Sequence, residues 1–227
     1  MTEPEARLQI RTINSLSEVM ADAWNACAGQ SNPFVKHGFL SALEDSGSAT
    51  AESGWAAQHV VLEDTETSQL LGAVPLYVKN HSYGEYVFDW GWADAYERAG
   101  GQYYPKAQVC VPFTPATGPR LLLGDASDND THKILGEAIV SVAKQLELSS
   151  LHITFPHKAE FDALGELGIY EQRLGMQFHW ENRDYQSFDG FLAELNSRKR
   201  KAIKKERREV AELDVDIRVL DGHQMDD

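Results

Sequence analysis

Cysteine is scarce in this chain. Cys27 and Cys110 are the only two in 227 residues. They lie far apart, make no C-x-x-C or metal spacing and offer no disulfide framework, which fits a reducing compartment. Long apolar runs are missing too. No window approaches the ~18 consecutive apolar residues of a membrane span. The amino terminus, MTEPEARLQIRTINS, lacks the basic segment and apolar core of a signal peptide. These absences predict a cytoplasmic protein with no membrane span. Familiar catalytic signatures are also absent. There is no G-x-S-x-G, no H-E-x-x-H, no G-x-x-x-x-G-K-[ST] and no G-x-G-x-x-G. A nucleophile elbow, a zinc-protease helix and those phosphate loops are therefore excluded. His152 and His157 stand five apart across an expected strand and a proline. They read as hydrogen-bonded histidines near the surface, and no metal is expected.

Positive charge is also in short supply: 21 Lys and Arg against 35 Asp and Glu, a net charge of -14. Yet eight of the bases fall between Arg198 and Arg208, in RKRKAIKKERR. With Glu206 that segment carries +7, which leaves -21 for the remainder. So acidic a surface repels polyphosphate, and general DNA binding is disfavoured outside this one segment. On a helix Arg200, Lys204 and Arg208 share one face. Each like-charge i,i+4 pair costs an isolated helix roughly 0.2–0.5 kcal/mol. Three readings stay open for the segment. Acidic neighbours in the same chain neutralise it, or it holds an anionic ligand, or it binds nucleic acid.

What the chain does contain reads as alternating helices and strands. Ser15-x-x-Glu18 is a capping box opening an amphipathic helix that Gly29 closes. SNPFVKHGFLSALEDSG reads as a second helix. WAAQHVVLED and QLLGAVPLYVKN, separated by TETS, predict a β-hairpin. QVCVPF and PRLLL read as strands. DNDTHKILGEAIVSVAKQLELS is the clearest helix, with Ile134, Leu135, Ala138, Ile139, Val142 and Leu146 on one apolar face. SLHITFP, YEQRLGMQFHWE and DVDIRVLD read as strands, and AEFDALGELG, FDGFLAELN and the basic segment as helices. This order predicts a mixed α/β fold, a sheet covered by helices.

The most informative stretch is YGEYVFDWGWADAYERAGGQYYPKAQVCVPFTPATGPRLLL. It gathers Tyr83, Tyr86, Phe88, Trp90, Trp92, Tyr96, Tyr103 and Tyr104 among Asp89, Asp94, Glu97 and Arg98. Two readings stand: aromatics packing a core, or rigid walls of a substrate groove with a few polar groups to orient the ligand. Asp89, between Phe88 and Trp90, is either a carboxylate base whose pKa desolvation raises or a structural Asp bonded to backbone N–H groups.

This stretch, with SNPFVKHGFLSALEDSGSA before it and FLAELNSRKRKAIKKERREV after it, resembles the FemAB-like family related to the peptidoglycan aminoacyltransferases. The three pieces cover nearly the whole chain in the expected order. The resemblance implies a GNAT-like acyl-CoA N-acyltransferase fold, an α+β arrangement with a mixed, mostly antiparallel sheet flanked by helices. Residues 1–186 would form the first GNAT-like domain. Residues 187–227 would be a basic helix and a strand leading into a second such domain that is missing, so this portion is expected to be inactive alone. The implied activity is N-acyl or aminoacyl transfer to an amine acceptor such as a peptidoglycan precursor. The implied donor is aminoacyl-tRNA or acyl-CoA in the full-length protein, with tRNA as a partner and no cofactor in this portion. The stretch GDASDND, where a CoA pyrophosphate loop would stand, carries three Asp and suits no pyrophosphate. Asp89 becomes the catalytic candidate. Trp92, Tyr103, Tyr104, Lys106, Thr114, Thr117 and Arg120 become groove candidates, and Arg198, Arg200, Lys201 and Lys204 the anion-binding set. The competing class is a non-catalytic module that uses the same scaffold to recognise a muropeptide or RNA.

Overall fold

A computed structural model describes residues 8–124, 129–176 and 178–220. The chain divides into two compact units, residues 1–173 and 174–227.

The first unit is organised by one long hairpin. Strands β2 (Trp55–Ala57) and β3 (His59–Asp64) run antiparallel to β5 (Leu76–Lys79) and β4 (Leu70–Val74). A single register spans both halves, from Trp55 opposite Lys79 to Leu62 opposite Gly72. The turn is shaped by Asp64, whose Oδ1 accepts from the N–H groups of Glu66 at 2.8 Å and Thr67 at 3.1 Å. Pro75 has no N–H to give the ladder, and the hairpin divides there into two sheets. In one, β1 (Leu8–Ile13) lies on the far side of β3, in the order β1-β3-β4. In the other the order is β2-β5-β6-β7, with β6 (Lys106–Val109) antiparallel to β5 and β7 (Leu151–Ile153) parallel to β6. The fold is α+β with a mostly antiparallel arrangement of strands, as expected.

Helices cover both faces. Helices α1 (Ala21–Ala28) and α2 (His37–Asp45), with the 3₁₀ turn Pro33–Val35 between them, pack Trp24, Cys27, Val35 and Leu40 against Val61 and Ala73. Helix α4 (Asn129–Gln145) lays Leu135, Ala138, Ile139 and Val142 on Val60, Leu62, Leu76 and Val109 of the opposite face. The capping box forms, with Ser15 and Glu18 bonding reciprocally, but it heads only a 3₁₀ turn. Val19 and Met20 are extended before α1 begins. Leu146 is exposed and does not belong to the α4 core face. The first unit also holds α3 (Trp90–Arg98) and α5 (Lys158–Glu166).

The second unit contains α6 (Phe188–Glu194), capped by Ser187, and α7 (Ser197–Ala211), capped by Asn196. Three strand expectations fail. PRLLL contributes only the isolated bridge of Leu122 to Ala73. No described residue of 170–181 or 214–220 is in a strand. Leu174, Met176, Phe178 and Trp180 alternate with polar residues, as do Val215, Ile217 and Val219, but all seven are exposed. Alternation supplies two faces, and a strand also needs a neighbour to take its N–H and C=O groups. Conversely β1 goes unrecognised in a polar amino-terminal segment.

Leu135 is fully buried where α4 meets the hairpin. Leu135→Ala should lower the unfolding free energy by about 2–5 kcal/mol in urea denaturation.

Candidate functional site

The two faces of the β2-β5-β6-β7 sheet have opposite chemistry. Leu76, Ala107 and Val109 face the apolar core beneath α4. The residues between them point the other way. Lys79 pairs with Lys106 and Tyr77 with Gln108 across β5 and β6, and His152 of β7 is the partner of Gln108. Lys79, Tyr77, Lys106 and Gln108 are all fully buried. A strand that alternates Lys-Ala-Gln-Val would ordinarily turn its polar side to water. Here the segment before α3 covers it.

Lys106 is the centre of this polar face. Its Nζ donates to Glu85 Oε2 at 2.7 Å and to Asp89 Oδ2 at 2.6 Å. Tyr103 donates its hydroxyl to the same Asp89 oxygen at 2.7 Å. Tyr104 OH and Ser82 Oγ lie 2.7 Å apart. Glu85 and Asp89 are only 3% and 1% exposed. Burial alone would raise the Asp89 pKa, but the bonds from Lys106, Ser82 and Tyr103 win and hold it below the usual carboxylate range. Glu85 goes the other way. Burial dominates, Asp89 adds like-charge repulsion, and its pKa is raised despite Lys106. The two carboxylates are thereby pushed apart, one firmly ionised and one more basic. Glu85 Oε1 and Asp89 Oδ1 are buried with no hydrogen-bond partner among the described residues.

Lys79 is the second buried cation. Its Nζ sits 3.3 Å from the Trp55 ring centroid and donates to the Tyr83 carbonyl at 3.3 Å. Burial pulls its pKa down to about 7, with Glu85 opposing. His152 is half-buried, 2.9 Å from Ser150 Oγ, with burial and the nearby Lys106 charge lowering its pKa to about 4. It is thus neutral and more enclosed than a surface histidine. Backbone strain surrounds the cluster: Tyr86, Phe113 and Phe155 all take positive φ, at 58°, 58° and 55°. Gly84, at φ +80°, is required, because a Cβ there would meet Phe113 Cδ1 at 2.6 Å.

The structure brings Asp89, Tyr103, Tyr104 and Lys106 together. Trp92 lies one turn along α3, exposed, with the Arg173 guanidinium 4.4 Å from its ring centroid. Thr114 donates to the Pro112 carbonyl at 3.1 Å, and Thr117 is exposed. Arg120 belongs to another polar centre. Its side chain donates to the carbonyls of Thr154, Pro119 and Ala116, while the Arg120 and Leu121 N–H groups bond to buried Glu160. Arg198, Arg200, Lys201 and Lys204 lie on α7. Lys204 pairs with Asp189 at 3.2 Å and Arg200 donates to the Ala193 carbonyl at 3.2 Å. Arg198 and Lys201 have no ion pair among the described residues. Glu85, Lys79, Ser82 and Gln108 were not singled out by sequence, and His152 was read only as a hydrogen-bonded histidine near the surface. The alternation of polar residues along KAQV is the signal that could have found part of this set. GDASDND falls largely outside the described residues. Among those residues no three His, Cys, Asp or Glu side chains converge as metal ligands would, and no helix is long and apolar enough to cross a membrane.

A family model described as peptidoglycan biosynthesis/recognition matches residues 15–227. The chain belongs to this FemAB-like family. The match spans both the Lys106 cluster and the basic α7 helix. Membership ties the FemAB-like chain to peptidoglycan-related aminoacyl transfer in general, with a peptidoglycan precursor as the partner it implies. Comparison with curated proteins returns no match.

Lys79 makes the stability of the FemAB-like chain depend on pH. Its folded pKa of about 7 lies below the ~10.4 of an unfolded lysine. Between those values the unfolded chain binds a proton that the folded chain does not, so this group's contribution to stability rises with pH. Below pH 7 both states are protonated and the contribution is flat. Lys79→Met should lack that rise. Urea denaturation of both proteins at about pH 7 and about pH 9 checks it, and parallel shifts would show that Lys79 keeps an ordinary pKa.

Proposed function

We propose that this chain takes part in N-acyl or aminoacyl transfer to an amine of a peptidoglycan precursor. The observation that carries the reading is the Glu85–Lys106–Asp89 cluster, lying in the segment with the strongest family resemblance. Transfer to an amine first requires that the ammonium lose a proton. Asp89 is a poor acceptor, since its pKa is lowered and its Oδ2 is doubly bonded. Glu85 is the better base. Its pKa is raised and its Oε1 has no hydrogen-bond partner among the described residues. The ammonium gives a proton to Glu85. The neutral amine then attacks the donor carbonyl, a C–N bond forms, and the C–O bond of an aminoacyl ester or the C–S bond of a thioester breaks. The nitrogen's second proton passes to the departing oxygen or sulfur, which leaves as the alcohol or thiol. Asp89 and Tyr103 act as positioning residues that hold Lys106. The cations of α7, exposed Arg198, Lys201 and Lys204 with half-buried Arg200, supply a surface for the phosphates of an aminoacyl-tRNA or CoA donor. The donor and the GNAT-type scaffold remain part of this proposal.

A second reading is favoured by one observation: Lys106 is fully buried and both carboxylates nearly so. A sealed cluster suits a recognition module that binds a muropeptide without reacting. Transfer of labelled amino acid from aminoacyl-tRNA, or of acetyl from acetyl-CoA, to an amine-bearing muropeptide separates the two. The transfer reading expects product from one donor, and a loss of roughly 10²–10⁴-fold in Glu85→Gln. It also expects an acid limb in the rate profile above the ordinary glutamate pKa, because the base must be ionised. Muropeptide binding with no product from either donor would leave only the recognition reading.

A further inference from the structure

Between Tyr83 and Trp92 the usual sorting of side chains is inverted. Both carboxylates, Glu85 and Asp89, are buried, while Tyr83, Tyr86, Phe88, Trp90 and Trp92 stand in solvent. Tyr96 continues the row one turn further along α3. The six aromatics range from 47% exposed at Tyr96 to 72% at Phe88. The cause is local. Lys106 draws Glu85 and Asp89 inward, and the residues between them are turned out, with Tyr86 forced to positive φ. Exposed aromatic area on this scale marks a binding surface.

The chemistry of the surface selects its occupant. Every large exposed apolar side chain here is aromatic, and the one sizeable aliphatic, Val87, is half-buried. Three of the rings form a connected group, with Trp90 5.6 Å from Phe88 and 6.1 Å from Tyr83 between centroids. Electron-rich ring faces attract polarised C–H groups, and ring edges here carry hydrogen-bonding tips. The hydroxyls of Tyr83, Tyr86 and Tyr96 and the indole N–H groups of Trp90 and Trp92 have no hydrogen bond among the described residues. Charge argues in the same direction. Arg98 is paired with Asp94 at 2.5 Å, Arg173 lies on Trp92, and Glu97 is exposed. No unengaged cation meets a phosphate or an anionic membrane on this surface. An uncharged ligand with C–H faces and hydroxyl edges fits, which describes a pyranose ring.

We propose that Tyr83, Phe88 and Trp90, flanked by Tyr86, Trp92 and Tyr96, form a saccharide shelf that takes neutral amino-sugar rings of a glycan. The proposal deepens the peptidoglycan reading above, on which it rests for the identity of the sugar. It is tested with the N-acetylglucosamine tetramer chitotetraose, titrated into the whole chain while tryptophan fluorescence is followed. Saturable binding is expected, insensitive to salt, and weakened roughly tenfold or more by Trp90→Ala and by Phe88→Ala. Both side chains are exposed, so the variants should keep the wild-type far-UV circular dichroism and melting temperature. No binding, binding that salt abolishes, or binding unchanged in both variants would overturn the shelf. So would binding to phosphatidylglycerol vesicles in place of the sugar, which would mark a membrane surface. Sugar binding without transfer leaves the shelf standing and removes only the transfer reading. Transfer without sugar binding does the reverse.

Discussion

One ammonium group, Nζ of Lys106, organises the site and the segment around it. It sits between Glu85 and Asp89 with no exposure to solvent. Its importance follows from how little else holds α3. Of the residues in that helix only Ala93 is buried. A helix with so small an apolar footprint contributes little hydrophobic stabilisation of its own. It is tethered at its start, where Asp89 meets Lys106 and Tyr103, and near its end, where the Tyr96 and Tyr103 rings lie 6.1 Å apart. A buried ion cluster is weak as a source of net stability, because desolvation offsets most of the attraction. Its value here is geometric. It decides which side chains of this segment face inward and which face out.

The same clamp links fold to function. The hairpin gives one sheet an apolar face for α4 and a polar face for Lys79, Lys106, Gln108 and His152. Burial raises the pKa of Glu85 and pulls that of Lys79 down to about 7, while hydrogen bonds override burial and lower that of Asp89, the kind of divergence among neighbouring groups that acid–base chemistry uses. Turning the intervening residues outward builds the aromatic surface. The buried chemistry and the exposed shelf are two sides of one segment.

Much of the scaffold was legible because it rests on local signals. The hairpin announces itself by two apolar runs around TETS, and α4 by a wide apolar face. Leu8–Ile13 was not legible. It is an edge strand with exposed Leu8 and Ile10, and its sequence differs little from a polar tail. The segments at 170–181 and 214–220 were over-read, because period-two patterning does not supply a partner strand. Within the site, Asp89, Tyr103, Tyr104 and Lys106 were found because one aromatic stretch contains them all. Glu85 stands in that stretch but is one acid among 35 Asp and Glu. Lys79 and His152 join only through strand register, which relates residues far apart in the chain. Arg120 stands near the end of the stretch but leads to Glu160 instead. The FemAB-like resemblance was carried by the same stretch, so the family was legible where the individual roles were not.

The account rests on the Lys106–Asp89 bond being an energetic coupling as well as a short distance. A double-mutant cycle tests this directly. Unfolding free energies would be measured for the wild type, Lys106→Met, Asp89→Asn and the double variant. The structure predicts that each single change strips a buried charge of one partner, leaving Lys106 with Glu85 alone or Asp89 with the Tyr103 and Ser82 hydroxyls, and costs about 3–5 kcal/mol, while the double change costs less than the sum. A coupling on the order of 1.5 kcal/mol or more supports the clamp. Additive losses, with no coupling beyond about 0.5 kcal/mol, would contradict it.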